Sequence, residues 1–247
     1  GQRVLLSPGL SCGVCVQCLG GKDHLCRHYG IFGETRDGAC AEWLTVPAVN
    51  AVPIPDKLSF EEAAAIPLVF LTAWNMLVER AELRPGEDVL VQAAGSGVSS
   101  AAIQIAKLWG ARVIATSGTP EKLARARELG ADDVIDYRNQ DFVEEVKRLT
   151  GKRGVDVVIE HVGGETFEKS IRCLGRAGRL VTCGATTSNM ARLDLRVLFF
   201  KSISLLGSTM GSKASLLSIL RHVESGRLKP VVDRVLPLEQ IGEAHRL

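Results

Sequence analysis

From Glu87 to Gly207 the sequence alternates short β-branched runs with longer helical periods, and this alternation limits the fold more than any other feature. The runs are Asp88 to Gln92, Arg112 to Thr116, Asp133 to Ile135, Val155 to Ile159, Gly178 to Cys183 and Ser202 to Gly207. Between them lie helical stretches at Val98 to Trp109, Pro120 to Leu129, Phe142 to Leu149, Thr166 to Leu174 and Arg196 to Phe200. Continuous apolar runs, rather than period-two patterns, mark strands buried on both faces. The expected class is therefore α/β, a parallel sheet covered by helices on either side. Six strands match the doubly wound Rossmann arrangement, in which ligands bind at the carboxyl ends of the strands. Ala214 to Glu224 adds a helix ended by Gly226, and the Pro230 to Pro237 stretch leads to a last helix reaching Leu247.

The first of these runs carries the candidate ligand site. Val89-Leu90-Val91-Gln92 leads straight into Ala93-Ala94-Gly95-Ser96-Gly97-Val98-Ser99-Ser100, and a helix follows. A strand, a small-residue turn and a helix N-terminus together offer backbone N–H groups to a pyrophosphate and let it approach closely. The full glycine fingerprint is incomplete: Gly95 and Gly97 are present, and Ser100 stands where the last glycine is usual. The second run ends in Ala115-Thr116-Ser117-Gly118-Thr119, where an NAD site generally places Asp or Glu on the ribose hydroxyls. With no carboxylate to repel a 2′-phosphate and Lys122 close behind, NADP is favoured over NAD. The alternative for Lys122 is a solvated charge on the next helix.

Upstream, Cys12, Cys15, Cys18 and Cys26 fall within fifteen residues, a span short enough to wrap one tetrahedral ion. Four thiolates suit zinc and leave no open position for a substrate, so the expected site is structural. Paired disulfides and an iron–sulfur cluster are the alternatives. His24 and His28 flank Cys26 and read as surface residues. Trp43 to Val46 and Ala51 to Ile54 look extended among Pro47, Pro53 and Pro55, which suggests a β-rich lobe. Ser59-Phe60-Glu61-Glu62 opens a helical segment that Pro67 divides into two short helices.

Composition excludes several classes. Lys+Arg 30 against Asp+Glu 28 leaves no basic surplus to hold nucleic acid or an anionic membrane. No apolar run approaches the length of a spanning helix. No export signal is visible and the cysteines cluster as in a reducing compartment, so a cytoplasmic location is expected.

These motifs resemble the medium-chain dehydrogenase/reductase superfamily of zinc-type alcohol dehydrogenases and quinone oxidoreductases. The resemblance rests on Gly1-Gln2-Arg3-Val4, the four-cysteine lobe, and Gly38-Ala39-Cys40-Ala41-Glu42-Trp43. It extends through Glu62-Ala63-Ala64-Ala65-Ile66-Pro67, Leu71-Thr72-Ala73-Trp74, the glycine turn, Gln104-Ile105-Ala106-Lys107, Leu129-Gly130-Ala131-Asp132 and Asp156-Val157-Val158-Ile159. It implies part of a β-rich GroES-like catalytic domain with a structural-zinc lobe over 1–58 and connecting helices over 59–86. The Rossmann dinucleotide-binding domain would cover 87–226, and 227–247 would return toward the catalytic domain. Most of the catalytic domain's own core would then precede Gly1, and a final strand would follow Leu247. The fragment alone would be inactive and poorly soluble.

The same resemblance implies site residues. Ser117, Lys122 and Tyr137 match positions around the 2′-phosphate and adenine, with packing at a strand end as the alternative for Tyr137. Thr72 matches a position beside the nicotinamide, and Gly184 and Ser208 fall where the nicotinamide half would lie. With Gly95, Ser96, Gly97 and Val98 these make up the expected cofactor site. Leu68 stands where zinc-dependent alcohol dehydrogenases carry a metal ligand, so a catalytic zinc is not expected. His161 reads as a cleft-lining or packing residue. The implied activity is hydride transfer between NADP(H) and a small-molecule carbonyl, enone or quinone-like substrate by a homo-oligomer, dimer or tetramer. The catalytic residues are unknown. A zinc-dependent alcohol dehydrogenase and a silent NADPH-binding module are the rival readings.

Overall fold

A computed structural model describes residues 1–246; Leu247, the end of the expected return segment, lies outside them. The chain divides into two compact units, Gly1–Leu71 with Met210–Leu247, and Thr72–Thr209. None of the helices among the described residues is long and apolar enough to cross a membrane.

In the first unit, β1 (Val4–Leu6) pairs antiparallel with β4 (Ala51–Pro53), and β2 (Gly9–Leu10) with β3 (Gly30–Ile31). A single helical turn, α1 (Val16–Leu19), lies within the cysteine lobe. Asn50 ties the β-pairs together: its buried amide donates to the carbonyls of Ser7 and Gly9, each at 2.7 Å. The expected strand at Trp43 to Val46 does not form. That stretch lacks a pairing partner among the described residues, and Trp43 is 90% exposed, so nothing repays the cost of ordering it as a strand. α2 (Phe60–Ala64) starts at a capping box in which Ser59 and Glu62 satisfy each other's backbone N–H. α3 (Val69–Trp74) follows the break at Pro67 and continues into a π-helical turn at Asn75–Arg80.

The second unit is the doubly wound sheet. Its strands are β5 (Asp88–Val91), β6 (Arg112–Ser117), β7 (Asp133–Asp136), β8 (Val155–Glu160), β9 (Leu174–Thr182) and β10 (Ser204–Gly207). They lie in the order β10-β9-β8-β5-β6-β7, and every pair is parallel. The intervening helices are α4 (Gly97–Leu108), α5 (Pro120–Glu128), α6 (Phe142–Leu149), α7 (Gly164–Cys173) and α8 (Leu195–Phe200). In register across the sheet, Leu90 sits between Ile114 and Val158, and Val158 beside Leu180. These residues join Ile135, Phe142, Val143, Val146 and Ile171 in one buried cluster that fastens α6 and α7 to one face. The strand order reverses between β5 and β8, which opens the crevice where ligands bind in this class of sheet.

β9 begins four residues earlier than the Gly178 start expected from sequence, directly at the end of α7. Leu174 pairs with Val155 across an irregularity in the ladder, so pairing overrides the turn-like Gly175-Arg176-Ala177-Gly178. The chain then returns to the first unit through α9 (Lys213–Glu224) and α10 (Ile241–Ala244). There the Lys213 ammonium lies 3.1 Å from the Asp23 carboxylate and 2.9 Å from the Gly9 carbonyl, fixing the start of α9 to the edge of the cysteine lobe.

Candidate cofactor and metal sites

The turn after β5 is anchored before any ligand arrives. Ala94 N–H donates to the Thr116 carbonyl at 2.8 Å, and the Thr116 hydroxyl donates to Gln92 Oε1 at 2.6 Å. Gln92 in turn donates to the Ser170 hydroxyl at 3.0 Å. Ser96 then caps α4, its hydroxyl accepting from Ser99 N–H at 3.1 Å. Gly97 and Val98, the first two residues of the helix, have no intrahelical acceptor for their N–H groups. They present them where the helix dipole favours an anion.

A cavity of about 870 Å³ opens at this switch point. Gly95, Ser96, Ser117, Lys122 and Tyr137 line it, along with Gln92, His161 and Val162. Five of the ten expected cofactor residues are thus brought to one wall system. Gly97 and Val98 head the helix beside them. A Cβ on Gly95 would lie 2.6 Å from Lys122 Cδ, so the lysine stem lies across the glycine turn. Ser117, almost fully buried, closes the end of β6 without a carboxylate.

The remaining three expected residues lie apart from this lining. Thr72 is buried in α3. Gly184 packs on the His161 backbone, where an added Cβ would meet the His161 carbonyl at 3.4 Å. Ser208 follows β10, and its hydroxyl accepts from the Asn75 amide at 2.9 Å.

Sequence reasoning missed Arg138. A Cβ on Gly118 would meet Arg138 Nε at 3.0 Å and Tyr137 Cζ at 2.8 Å, so both side chains fold over the end of β6. Neither Lys122 nor Arg138 has an ion-pair partner among the described residues. The signal was present as a second basic residue directly after Tyr137. What it lacked was any statement that the β7 loop covers β6.

Glu160 ends β8, fully buried, with Oε1 accepting from the N–H groups of Val162 (2.8 Å) and Gly163 (3.0 Å). Its Oε2 has no partner among the described residues, and burial raises the carboxyl above its ordinary range. Gly163 holds φ at +83°, and a Cβ there would collide with the Ser188 carbonyl, so this turn requires glycine. Because the folded pKa is raised, the native state is penalised as pH climbs from the ordinary carboxylate range through the raised value. Glu160→Gln keeps the Oε1 acceptor and removes the charge. Its melting temperature relative to the native protein is expected to be more favourable at pH 8 than at pH 5. A pH-independent difference would contradict this account of the carboxyl.

The four lobe cysteines converge: their sulfurs all lie within 4.8 Å of one another. Cys15 and Cys18 sulfurs are 3.5 Å apart, and Cys12 and Cys18 sulfurs 3.9 Å. A tetrahedron with zinc–sulfur bonds of about 2.3 Å has edges of about 3.8 Å, so the donor set fits zinc. Backbone N–H groups of Cys12 (3.4 Å) and His28 (3.3 Å) donate to the Cys26 sulfur, as thiolate ligands require. Backbone N–H groups of Val14 and Cys15 pull the Cys12 thiol down to about 6. No other group of three or more His, Cys, Asp or Glu ligand atoms converges among the described residues. Leu68 instead lines an apolar cavity of the first unit with Leu5, Ile54, Phe60 and Pro67.

Known proteins resemble this chain. The profile described as zinc-binding dehydrogenase matches residues 97–225, and the alcohol dehydrogenase GroES-like domain matches residues 1–56. Human quinone oxidoreductase is 30% identical over 218 residues, covering 86% of this chain and 66% of its own length. The NAD-dependent alcohol dehydrogenase of Saccharolobus solfataricus is 32% identical over 246 residues, covering 99% and 70%. A crystal structure of an NAD-dependent alcohol dehydrogenase superposes with a TM-score of 0.96 at 54% identity, covering 100% of this chain and 72% of that one. The chain thus spans about two thirds of the length of such relatives. With matched profiles over residues 1–56 and 97–225, a parallel six-stranded sheet and relatives along nearly its whole length, the chain belongs to the medium-chain dehydrogenase/reductase superfamily.

Proposed function

We propose that this chain binds NADP(H) in the cavity after β5 and β6 and serves hydride transfer to a carbonyl, enone or quinone-like small molecule. In this reading the four-cysteine lobe holds a structural zinc. One observation carries the cofactor preference. The end of β6 offers Ser117 and no carboxylate, Lys122 lines the same cavity across the Gly95 turn and Arg138 packs over Gly118, neither cation having an ion-pair partner among the described residues. Two cations facing a neutral strand end suit a 2′-phosphate, and they leave a 2′-hydroxyl without the acceptor it ordinarily finds.

The nicotinamide supplies the hydride when bound. This chain's residues hold and orient it: Gly97 and Val98 N–H groups for the diphosphate, Ser117, Lys122, Arg138 and Tyr137 for the adenosine end. Leu68 is no metal ligand, so acceptor polarisation is assigned to hydrogen-bond donors rather than a catalytic zinc. Among the described residues β10 forms an edge of the sheet, paired only with β9, a place where a second copy of the chain would extend it into a homo-oligomer. Four of the seven cysteines gather at one site rather than in separate pairs, which suits a reducing compartment such as the cytoplasm.

The second reading is a zinc-dependent alcohol dehydrogenase using NAD, and the names of the relatives at 32% and 54% identity favour it. Elemental analysis of the native protein, combined with NADPH and NADH oxidation over a carbonyl, enone and quinone panel, separates the two. One zinc per chain and faster NADPH oxidation are expected. Two zincs with NADH preferred would give the second reading first place. Tight NADPH binding without turnover on any member of the panel would indicate a silent binding module.

A further inference from the structure

His161 directly follows β8 and lines the same cavity, sixty-five residues along the chain from the Ser96 cap. Its Nε2 lies 3.1 Å from the Ser96 hydroxyl and 3.0 Å from the Ser99 hydroxyl. Both hydroxyl protons are already placed. Ser99 donates to the Gln92 carbonyl at 2.7 Å, and Ser96 donates to Ser99 Oγ at 3.0 Å. With the serine protons placed in this way, the tautomer that carries its proton on Nε2 can donate to both hydroxyls. Burial lowers the His161 pKa, which favours the neutral ring. The backbone is fixed too: the His161 carbonyl accepts from the Thr186 hydroxyl at 2.8 Å. Glu160 next to it clamps the Val162 and Gly163 N–H groups.

This arrangement spans the switch point. The N-cap of α4 is held from the β5 side by the Ser99–Gln92 bond and from the β8 side by His161. Here the Ser96 hydroxyl is locked between Ser99 and His161, so the helix start cannot fray toward the cavity. The free N–H groups of Gly97 and Val98 then stay aimed at one place, and pre-ordered donors bind an anion more tightly than mobile ones.

We propose that His161 is a positioning residue for the diphosphate of a bound dinucleotide, its Nε2–H locking the Ser96 cap from across the sheet. The assignment rests on the cavity being the cofactor site, as read above. It concerns the diphosphate alone and leaves the adenosine end of the site untouched. Its removal is therefore expected to weaken ligands that carry the diphosphate and to spare those that lack it.

The test uses the native chain and three variants, with NADPH and 2′-AMP as probes, read by fluorescence and calorimetric titration. His161→Leu keeps the bulk and removes the donor; it is expected to weaken NADPH about tenfold, the worth of one hydrogen bond serving a charged group. 2′-AMP, which has the adenosine and 2′-phosphate but no diphosphate, should bind unchanged. His161→Gln, whose amide nitrogen reaches near the place of Nε2, should restore NADPH affinity to within about threefold of native, a difference of well under 1 kcal/mol. Ser96→Ala should reproduce the NADPH-selective loss, and it provides the same readout if the leucine variant does not fold. Equal NADPH affinity in native and leucine proteins would overturn the assignment alone. So would a parallel loss of 2′-AMP binding, or a glutamine variant as weak as leucine. If the native protein bound no NADPH at all, the cofactor reading itself would fall and this assignment with it.

Discussion

Cys15→Ser is expected to abolish zinc binding and unfold the first unit while leaving the sheet unit intact. The four sulfurs are the one convergent set of three or more metal-ligating donors among the described residues, and the helical turn between them buries no side chain. α1 is a four-residue turn with no buried side chain, and Val14, Val16 and Leu19 are all more than three-quarters exposed. A structural zinc in such a lobe contributes on the order of 10 kcal/mol of apparent folding free energy. That is comparable to the whole stability of a typical domain, roughly 5–15 kcal/mol. Removing one ligand should therefore drop the metal content from one zinc per chain to near zero and expose the first unit to protease. Cys40→Ser is the matched control, because Cys40 is exposed and stands outside the quartet. Retention of zinc by the Cys15 variant would contradict a four-cysteine site.

The second large effect concerns cofactor choice. Ser117→Asp puts a carboxylate at the end of β6, where it would repel a 2′-phosphate and accept from a ribose hydroxyl. Lys122→Ala combined with Arg138→Ala removes the cations without adding an acid. Each charge-assisted hydrogen bond is worth about 1.5–3 kcal/mol, so losing both in the double variant should weaken NADPH by at least about a hundredfold, and the repulsion added by the aspartate should weaken it in the same direction. NADH affinity should stay level in the double variant and rise in the aspartate variant. A parallel loss for both cofactors would show that these residues act through folding, not through recognition of the 2′-phosphate.

Much of this fold was legible because the local pattern and the tertiary demand agree. The β5, β6 and β8 runs are continuous and apolar because helices cover both faces, and the helices between them carry their own caps at Ser96, Thr119 and Asp141. The cysteine quartet was legible because its ligands are close in sequence, so spacing alone brings them together. The errors have the opposite cause. Leu174 to Ala177 has turn composition, yet the Val155 ladder makes it strand. Trp43 to Val46 has strand composition and finds nothing to pair with among the described residues. The π-helical turn at Asn75–Arg80 differs from an α-helix by a fraction of a residue per turn, which no apolar period resolves.

The candidate site divides in the same way. Gly95, Ser96, Ser117, Lys122 and Tyr137 could be expected on one cavity because each lies at a strand end or in the turn or helix start that follows one. Arg138 could not, because its role depends on how the β7 loop folds over Gly118. His161 was visible as a strand-end residue, but its bonds to Ser96 and Ser99 depend on β8 lying beside β5, a neighbour set by the crossover and not by sequence proximity.

The most direct test of the central claim is the ratio of dissociation constants for NADPH and NADH, measured by titration on the native protein at fixed ionic strength. A preference for NADPH of about tenfold or more, some 1.4 kcal/mol, is the predicted result and would follow from Lys122 and Arg138 at a strand end without a carboxylate. Equal affinities, or tighter binding of NADH, would contradict it.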